Sequence, residues 1–350
     1  MAKDPMDMTS LVKHSAPVDT SKPYDPSTLR GKNVLFTGGA NGLGELIVRK
    51  WASHGANFAI GDIDDKAGER VVAELRTAYP EQTFLYQNCN VTDWDSQVAF
   101  FDAAVAGLPG GGLDIVVPNA GVLLGGASRR FEDPQLVNGK LRKPNTLTFE
   151  VNIVGVWYTT YLALYHLPLN PRPNADRCIL LVGSLASFMC FTGQSAYAAS
   201  KHAIMGLFRT LRGTASLQHN VRVNMICPYY INGTRLLPTQ AEVVLLAGGA
   251  PGDTKVDDVL DAATRLVADE SIVGRGLAIG PRIHEAPEGS VPVGDDENDG
   301  EGRAVWEVYA HDYEQADTWV WRYIHILNML TFARGWTRWF QDAWKIYNRK

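Results

Sequence analysis

Tyr197 and Lys201 stand four residues apart in Ser195-Ala-Tyr197-Ala-Ala-Ser-Lys201. On an α-helix that spacing sets both side chains on one face, one turn apart. An ammonium beside a phenol favours the phenolate and lowers its pKa from the usual value of about 10. A tyrosine tuned in this way can exchange a proton with an alcohol or ketone oxygen near neutral pH. Ser184 precedes them, directly after the apolar run Cys178-Ile-Leu-Leu-Val182 and Gly183. That run reads as a buried parallel strand, and ligands of open α/β sheets bind at the carboxyl ends of such strands. A serine there and a Tyr/Lys helix face beyond it could hold one substrate oxygen between two hydroxyls. Taken alone, the spacing also suits a packed tyrosine beside a solvated lysine. The elements that must position these residues decide between the two readings.

Asn33-Val-Leu-Phe36 reads as a buried strand that runs into Thr37-Gly38-Gly-Ala-Asn41-Gly42-Leu43-Gly44, and an amphipathic helix follows to about His54. Strand, glycine loop and helix form the context a phosphate-binding reading requires. Gly38 allows the tight turn, Gly42 lets a pyrophosphate approach the helix N-terminus, and Gly44 permits close packing of helix on strand. A second strand, Asn57-Phe-Ala-Ile-Gly-Asp62, ends in an acid. A carboxylate there accepts hydrogen bonds from ribose hydroxyls and repels a 2′-phosphate. Ile63 and Asn41 bring no cation for such a phosphate, so the expected cofactor is NAD. The competing role for Asp62 is a cap on the helix that starts near Lys66.

The alternation then continues. Strands are expected over Thr83–Asn88, Asp114–Pro118, Cys178–Val182, Val221–Ile226 and near Leu277. Helices are expected over Trp94–Ala106, Thr146–Leu167, from Tyr197 to about His219, and Val256–Ala268. Strands alternating with helices imply α/β architecture with a doubly wound parallel sheet. The net charge of −5 argues against a general nucleic-acid binder. Cys89, Cys178, Cys190 and Cys227 lack metal-ligand spacing, so neither a metal site nor a disulfide is expected, as in a reducing, cytoplasmic compartment. The N-terminus shows no signal-peptide pattern.

Over roughly residues 30–282 the chain resembles the short-chain dehydrogenase/reductase family. The resemblance rests on the order and spacing of Thr37-Gly38-x-x-x-Gly42-x-Gly44, Asn119-Ala120-Gly121, Asn152, Ser184, Tyr197-x-x-x-Lys201 and Val221-Arg-Val-Asn224. Within the family it is similar to fungal NAD-dependent alcohol dehydrogenases of the 15-hydroxyprostaglandin dehydrogenase-like type. The resemblance implies a Rossmann fold and a catalytic tetrad of Asn152, Ser184, Tyr197 and Lys201. Tyr197 would be the base in alcohol oxidation, Lys201 would lower its pKa and bond the nicotinamide ribose, Ser184 would polarise the substrate oxygen, and Asn152 would hold a helix bend and a water. The implied cofactor contacts are Thr37, Gly38, Asn41, Gly42, Leu43, Gly44, Asp62, Ile63, Asn90, Val91, Asn119, Ala120, Gly121, Tyr197, Lys201, Pro228 and Thr234. Two departures stand out. Asn90 replaces the usual aspartate. Pro228-Tyr229-Tyr230 carries a bulky residue where glycine is usual and sets Thr234 one position late. Two tyrosines there would give the substrate pocket an aromatic wall.

The family pattern leaves three stretches unexplained. Residues 124–144 read as a surface insertion near the mouth of the site. Residues 283–303 read as an acidic flexible linker, and residues 304–350 as a helical extension. Trp336, Trp339, Phe340, Ala343, Trp344 and Tyr347 of that extension share one helical face. It suits a packed hairpin, a peripheral membrane contact through 317–350, or a lid. Residues 1–30 read as a tail or surface arm. The expected function is NAD-dependent interconversion of a secondary alcohol and a ketone on a bulky apolar small molecule, by a homodimer or homotetramer. The alternatives are a family member turned to a non-redox step and a membrane-recruited scaffold.

Overall fold

A computed structural model describes residues 15–124, 130–189, 193–231, 254–283 and 302–308, with single positions 326, 329, 332, 336 and 344 beyond them. In chain order the elements are β1 (Asn33–Thr37), α1 (Gly42–Ser53), β2 (Asn57–Asp62), α2 (Asp65–Ala78), β3 (Phe84–Asn88), α3 (Trp94–Gly107) and β4 (Ile115–Pro118). A small hairpin, β5 (Leu136–Val137) and β6 (Lys140–Leu141), comes next. Then follow α4 (Val156–His166), β7 (Cys178–Val182), α5 (Ser195–His219), β8 (Arg222–Pro228), α6 (Val256–Ala268), β9 (Gly276–Ile283) and β10 (Arg303–Val308).

Eight strands form one sheet in the order β10-β9-β8-β7-β4-β1-β2-β3. All neighbours are parallel except β10, which runs antiparallel to β9. Every residue of β1, β4, β7 and β8 is buried, because helices cover both faces of a parallel sheet. Helices α1, α2 and α6 lie on one face and α3, α4 and α5 on the other. Ile47, Val48, Trp51 and Ala52 form the buried stripe of α1. Trp51 packs edge-on against Phe36, and its indole N–H donates to Thr264 Oγ1 at 3.0 Å.

Order reverses between β1 and β4. The chain leaving β1 goes to β2 on one side, and the chain leaving β4 goes to β7 on the other. A crevice must open at the carboxyl ends of these two strands, where their connections part. The opposite ends are closed by polar clamps. Asp114 accepts from Asn33 N at 2.7 Å and from Asn170 Nδ2 at 2.8 Å. Asp176 pairs with Arg222 at 2.6 Å and with Lys32 at 2.9 Å, all three nearly buried. Burial would push the Asp176 carboxyl up, but the Arg222 and Lys32 charges hold it below the usual range.

Three features sharpen or correct the sequence reading. The 146–167 helix is interrupted: a turn at Leu147–Phe149 passes into a π-helical segment, Glu150–Gly155, before α4. Arg303–Val308, expected at the junction of linker and helical extension, is a sheet strand. Ala304 and Val308 are buried, and Val305 packs against the core. Of the two readings of the N-terminal stretch, residues 15–30 fit the arm held on the domain rather than the free tail. Ser15 N donates to Val273 O, Thr28 Oγ1 donates to Ala268 O, and Leu29 is in the core. Within 124–144 an exposed hairpin turns on Asn138 (φ 52°) and Gly139 (φ 74°), the two-residue loop favoured by strand twist.

Lys13–Val308 forms one compact unit, and residues 1–12 with 309–350 form another. In the second, Ile326, Met329, Phe332, Trp336 and Trp344 are helical and exposed. The acidic stretch 284–301 and most of the Trp336–Tyr347 face lie outside the described residues. Among described helices none is long and apolar enough to cross a membrane.

Asp176→Asn leaves Arg222 buried with half its ion pair. Removing one partner of a buried pair costs roughly 3 kcal/mol, and denaturant unfolding should show a loss of that order. Because the folded Asp176 pKa is depressed, its stabilisation is present above the ordinary carboxylate pKa and disappears as pH falls through the folded value. The gap between variant and native protein should therefore close in acid.

Candidate active site

The glycine loop is built to backbone contact. Gly38 has φ 68°, and a Cβ there would lie 2.7 Å from Ala120 Cα. Only glycine allows the turn after β1 to meet the segment after β4. A Cβ on Gly44 would sit 2.0 Å from Gly38 O. Asn41 is the N-cap residue of α1, yet its side chain makes no cap bond and donates instead to Asp64 Oδ2 at 3.3 Å. The first-turn N–H groups of α1 thus have no side-chain cap, and the N-terminus of a helix attracts anions. Gly38, Asn41, Gly42, Leu43 and Gly44 line a cleft of about 440 Å³ at this point.

Asp62 closes β2 on the same cleft. Its Oδ2 accepts from Ala40 N at 3.0 Å and its Oδ1 from Asp64 N at 3.1 Å. The capping role belongs to its neighbour: Asp64 accepts from Ala67 N and starts α2. Ile63 is exposed on the rim. Asn90 lines the cleft, with its side-chain oxygen accepting from Thr92 N and Oγ1. Its contribution to a ligand is then its amide N–H. Val91 lines the cleft beside it and packs under Gly155. Among the described lining residues only Asp62 and Lys201 are charged, and they belong to different ends of the chain's halves.

Asn119 spans the fork. Its Nδ2 donates to Thr37 O at 3.1 Å and Gly38 O at 2.8 Å, while its backbone N–H donates to Thr37 Oγ1 at 3.1 Å. Thr37, expected among the cofactor contacts, is 1% exposed and absent from the cleft wall. Its hydroxyl is spent on Asn119 N, Ala120 N and Val117 O. Ala120 and Gly121 continue along the wall.

The other end of the cleft holds Ser184, Tyr197 and Lys201. Ser184 follows β7 and caps a 3₁₀ turn, Leu185–Ser187, accepting from Ala186 N at 3.2 Å. It also hydrogen-bonds the Tyr197 oxygen, which favours the phenolate. Lys201, one turn beyond Tyr197 on α5, is 6% exposed and donates to Val182 O at 3.0 Å. Asn152 is fully buried in the π-helical segment. Its Oδ1 accepts from Val122 N at 2.8 Å, and its Nδ2 donates to Val122 O at 2.9 Å and Ser200 Oγ at 3.1 Å. Asn152 therefore joins the cleft wall to α5 rather than lining the cleft itself. Pro228, Tyr229 and Tyr230 complete the apolar side, whereas Thr234 lies outside the described residues.

The expected depression of the Tyr197 pKa is not what the site itself produces. Burial dominates and pushes Tyr197 up to about 12 against the Ser184 hydrogen bond, and it pushes Lys201 down to about 8. Lys201 Nζ sits 5.7 Å from the tyrosine ring centroid, over the ring face. Gln194 in the cleft and Cys227 behind it carry no site expectation from sequence. Gln194 stands one turn before Tyr197 and lines the cleft. Its signal was its position, since glutamine is a poor N-cap residue. Cys227 is buried behind the site, where burial pushes its thiol up to about 12.

A buried lysine whose pKa falls from 10.5 to about 8 destabilises the fold wherever it must be charged. The cost is absent above the unfolded pKa and grows as pH falls through the folded value. Lys201→Met removes it, at the expense of the bond to Val182 O. The variant should be more stable at pH 7 by about 2 kcal/mol, and the gain should shrink above pH 8. Thermal unfolding across that range checks both.

A family model described as short chain dehydrogenase matches residues 32–243. The chain is 34% identical over 299 residues to 5'-hydroxyaverantin dehydrogenase of Emericella nidulans, covering 79% of this chain and 92% of that protein. It is 30% identical to the NADP-dependent dehydrogenase M3 of a Phoma species, covering 72% and 76%. A solved structure of a short-chain alcohol dehydrogenase from Sinorhizobium meliloti has the same fold, with TM-score 0.60 at 23% identity over 73% of this chain and 96% of that one. The chain belongs to the short-chain dehydrogenase family, and it is an oxidoreductase that acts on CH–OH groups with a nicotinamide cofactor.

Proposed function

We propose that the protein oxidises a secondary alcohol on a bulky, largely apolar metabolite to the ketone, with NAD as its cofactor. One observation carries the reading: a single cleft joins the uncapped α1 terminus and Asp62 to Ser184, Tyr197 and Lys201. Gly38, Asn41, Gly42, Leu43 and Gly44 would hold the pyrophosphate, and Asp62 the adenosine ribose. Asp62 and the neutral Ile63 and Asn41 favour a free 2′-hydroxyl over a phosphate. The nicotinamide supplies a two-electron acceptor for the carbinol hydrogen, which leaves as hydride. The hydroxyl proton passes to the Tyr197 oxygen as the C=O bond forms. Ser184 orients the same oxygen, and Lys201 supplies positive charge to the tyrosine. Asn152 fixes the π-helical segment against α5 and thereby sets the position of Ser200, one residue before Lys201. Val122, Leu123, Val151, Tyr229, Tyr230 and Ile231 give the substrate end its apolar character.

Energy transfer from tryptophan to bound NADH, compared with NADPH, tests the cofactor assignment. NADH should bind at least tenfold more tightly, and Asp62→Ala combined with Ile63→Arg should reverse the order. Tyr197→Phe should retain NADH binding while lowering kcat for alcohol oxidation by 10²-fold or more, the usual scale of proton-transfer catalysis. Failure to bind either cofactor removes the reading at its root. Full activity in Tyr197→Phe would instead indicate a non-redox step.

The same reading includes self-association. Trp157, Tyr161 and Tyr165 recur at helical spacing on α4 and are each about 60% exposed, with Trp94 packed against Tyr161 at 6.0 Å. An exposed aromatic ridge of this kind is suited to burial against a second copy. Trp157→Glu with Tyr161→Glu should convert the species seen by light scattering from dimer or tetramer to monomer. A native monomer would rule this out.

A further inference from the structure

We infer that Gln194 is a specificity-determining residue that recognises a second hydroxyl on the substrate, close to the carbinol being oxidised. The inference rests on the proposed alcohol oxidation. The side-chain oxygen of Gln194 is buried and takes no hydrogen bond among the described residues. Gln194 nonetheless lines the same cleft as Ser184 and Tyr197. Its backbone serves α5, since its carbonyl accepts from Ala198 N at 2.8 Å, while its side chain makes no cap bond. Among the described residues the side-chain oxygen of Gln194 therefore has no structural partner.

A buried polar atom without a partner costs far more than one that is satisfied. At the substrate end of the cleft, where Val122, Leu123, Val151 and Ile231 bring no polar side chain, the missing partner is a ligand group. Its chemistry follows from the carboxamide, whose oxygen accepts from O–H or N–H. A hydroxyl suits it in either amide orientation, because a hydroxyl both donates and accepts. Gln194 precedes Tyr197 by three residues at the start of α5, so the two side chains are neighbours at the substrate end. The hydroxyl that Gln194 reads is then next to the carbon whose oxygen meets Ser184 and Tyr197. The substrate class is an apolar ring system carrying a diol, or a carbinol beside a second hydroxyl, in place of a plain secondary alcohol.

Matched substrates separate this from a purely structural role. For the NAD-loaded protein, kcat/KM for cis-1,2-dihydroxytetralin should exceed that for 1-tetralol by about tenfold or more, the scale of one buried hydrogen bond. Gln194→Leu should bring the ratio near one by slowing the diol alone, and Gln194→Glu, which keeps an acceptor, should preserve a preference for the diol. An unchanged ratio in Gln194→Leu, or equal loss on both alcohols, overturns the assignment. Calorimetric titration of the protein with 2-hydroxy-1-tetralone and 1-tetralone reads the same contact without turnover. Tighter binding of the hydroxyketone, lost in Gln194→Leu, supports the assignment, and equal binding overturns it. Oxidation of neither alcohol, with that binding difference intact, would count against the alcohol-oxidation reading while leaving Gln194 as the hydroxyl reader.

Discussion

Asn119 holds the sheet together at the place where its connections part. One carboxamide donates to two carbonyls of the β1 end, and the Thr37 hydroxyl answers from below. The approach of Gly38 to Ala120, closer than any side chain permits, is possible only because this clamp exists on one side and a glycine on the other. Everything used for chemistry is hung from the rim of that fork. The α1 terminus and Asp62 follow from β1 and β2. Gly121, Ser184 and Pro228 follow from β4, β7 and β8. The opposite rim carries the Asp114 and Asp176 clamps, so binding and anchoring are divided between the two ends of the sheet.

Burial sets the electrostatics of the site more strongly than the Tyr–Lys spacing does. The same desolvation moves Tyr197 up to about 12 and Lys201 down to about 8, which drives two groups of nearly equal ordinary proton affinity apart. Each shift favours the neutral form of its group, so the lysine stands at a position that opposes stability whenever it is charged. The Val182 carbonyl and the ring of Tyr197 are all that the described residues offer its ammonium at short range, so its presence there is a functional expense, as is common where activity needs a strained group.

The site was legible in the sequence where chemistry restricts residue type and spacing together. The glycines, Asp62, Ser184, Tyr197 and Lys201 are of that kind, and all line the cleft. Thr37 and Asn152 were recognisable as important, but their tasks were not, since which way a hydroxyl or carboxamide is spent depends on neighbours far apart in the chain. A bend at Asn152 is implied by the resemblance, but its π-helical form is not, because Glu150-Val-Asn-Ile-Val-Gly155 is compatible with an ordinary α-helix. The fold was legible through its buried parallel strands. β10 was not, because one short edge strand sits beside a tryptophan-rich segment whose helical periodicity dominated the reading.

The division of labour around the fork separates two kinds of heritable change. In the proposed function the residues that would choose the dinucleotide, Asn41, Asp62 and Ile63, precede Asn90, and those that would meet the substrate follow Gly121, with Asn119 between the two sets. A lineage can thus exchange one phosphate preference for another without disturbing which alcohol is read, and the reverse.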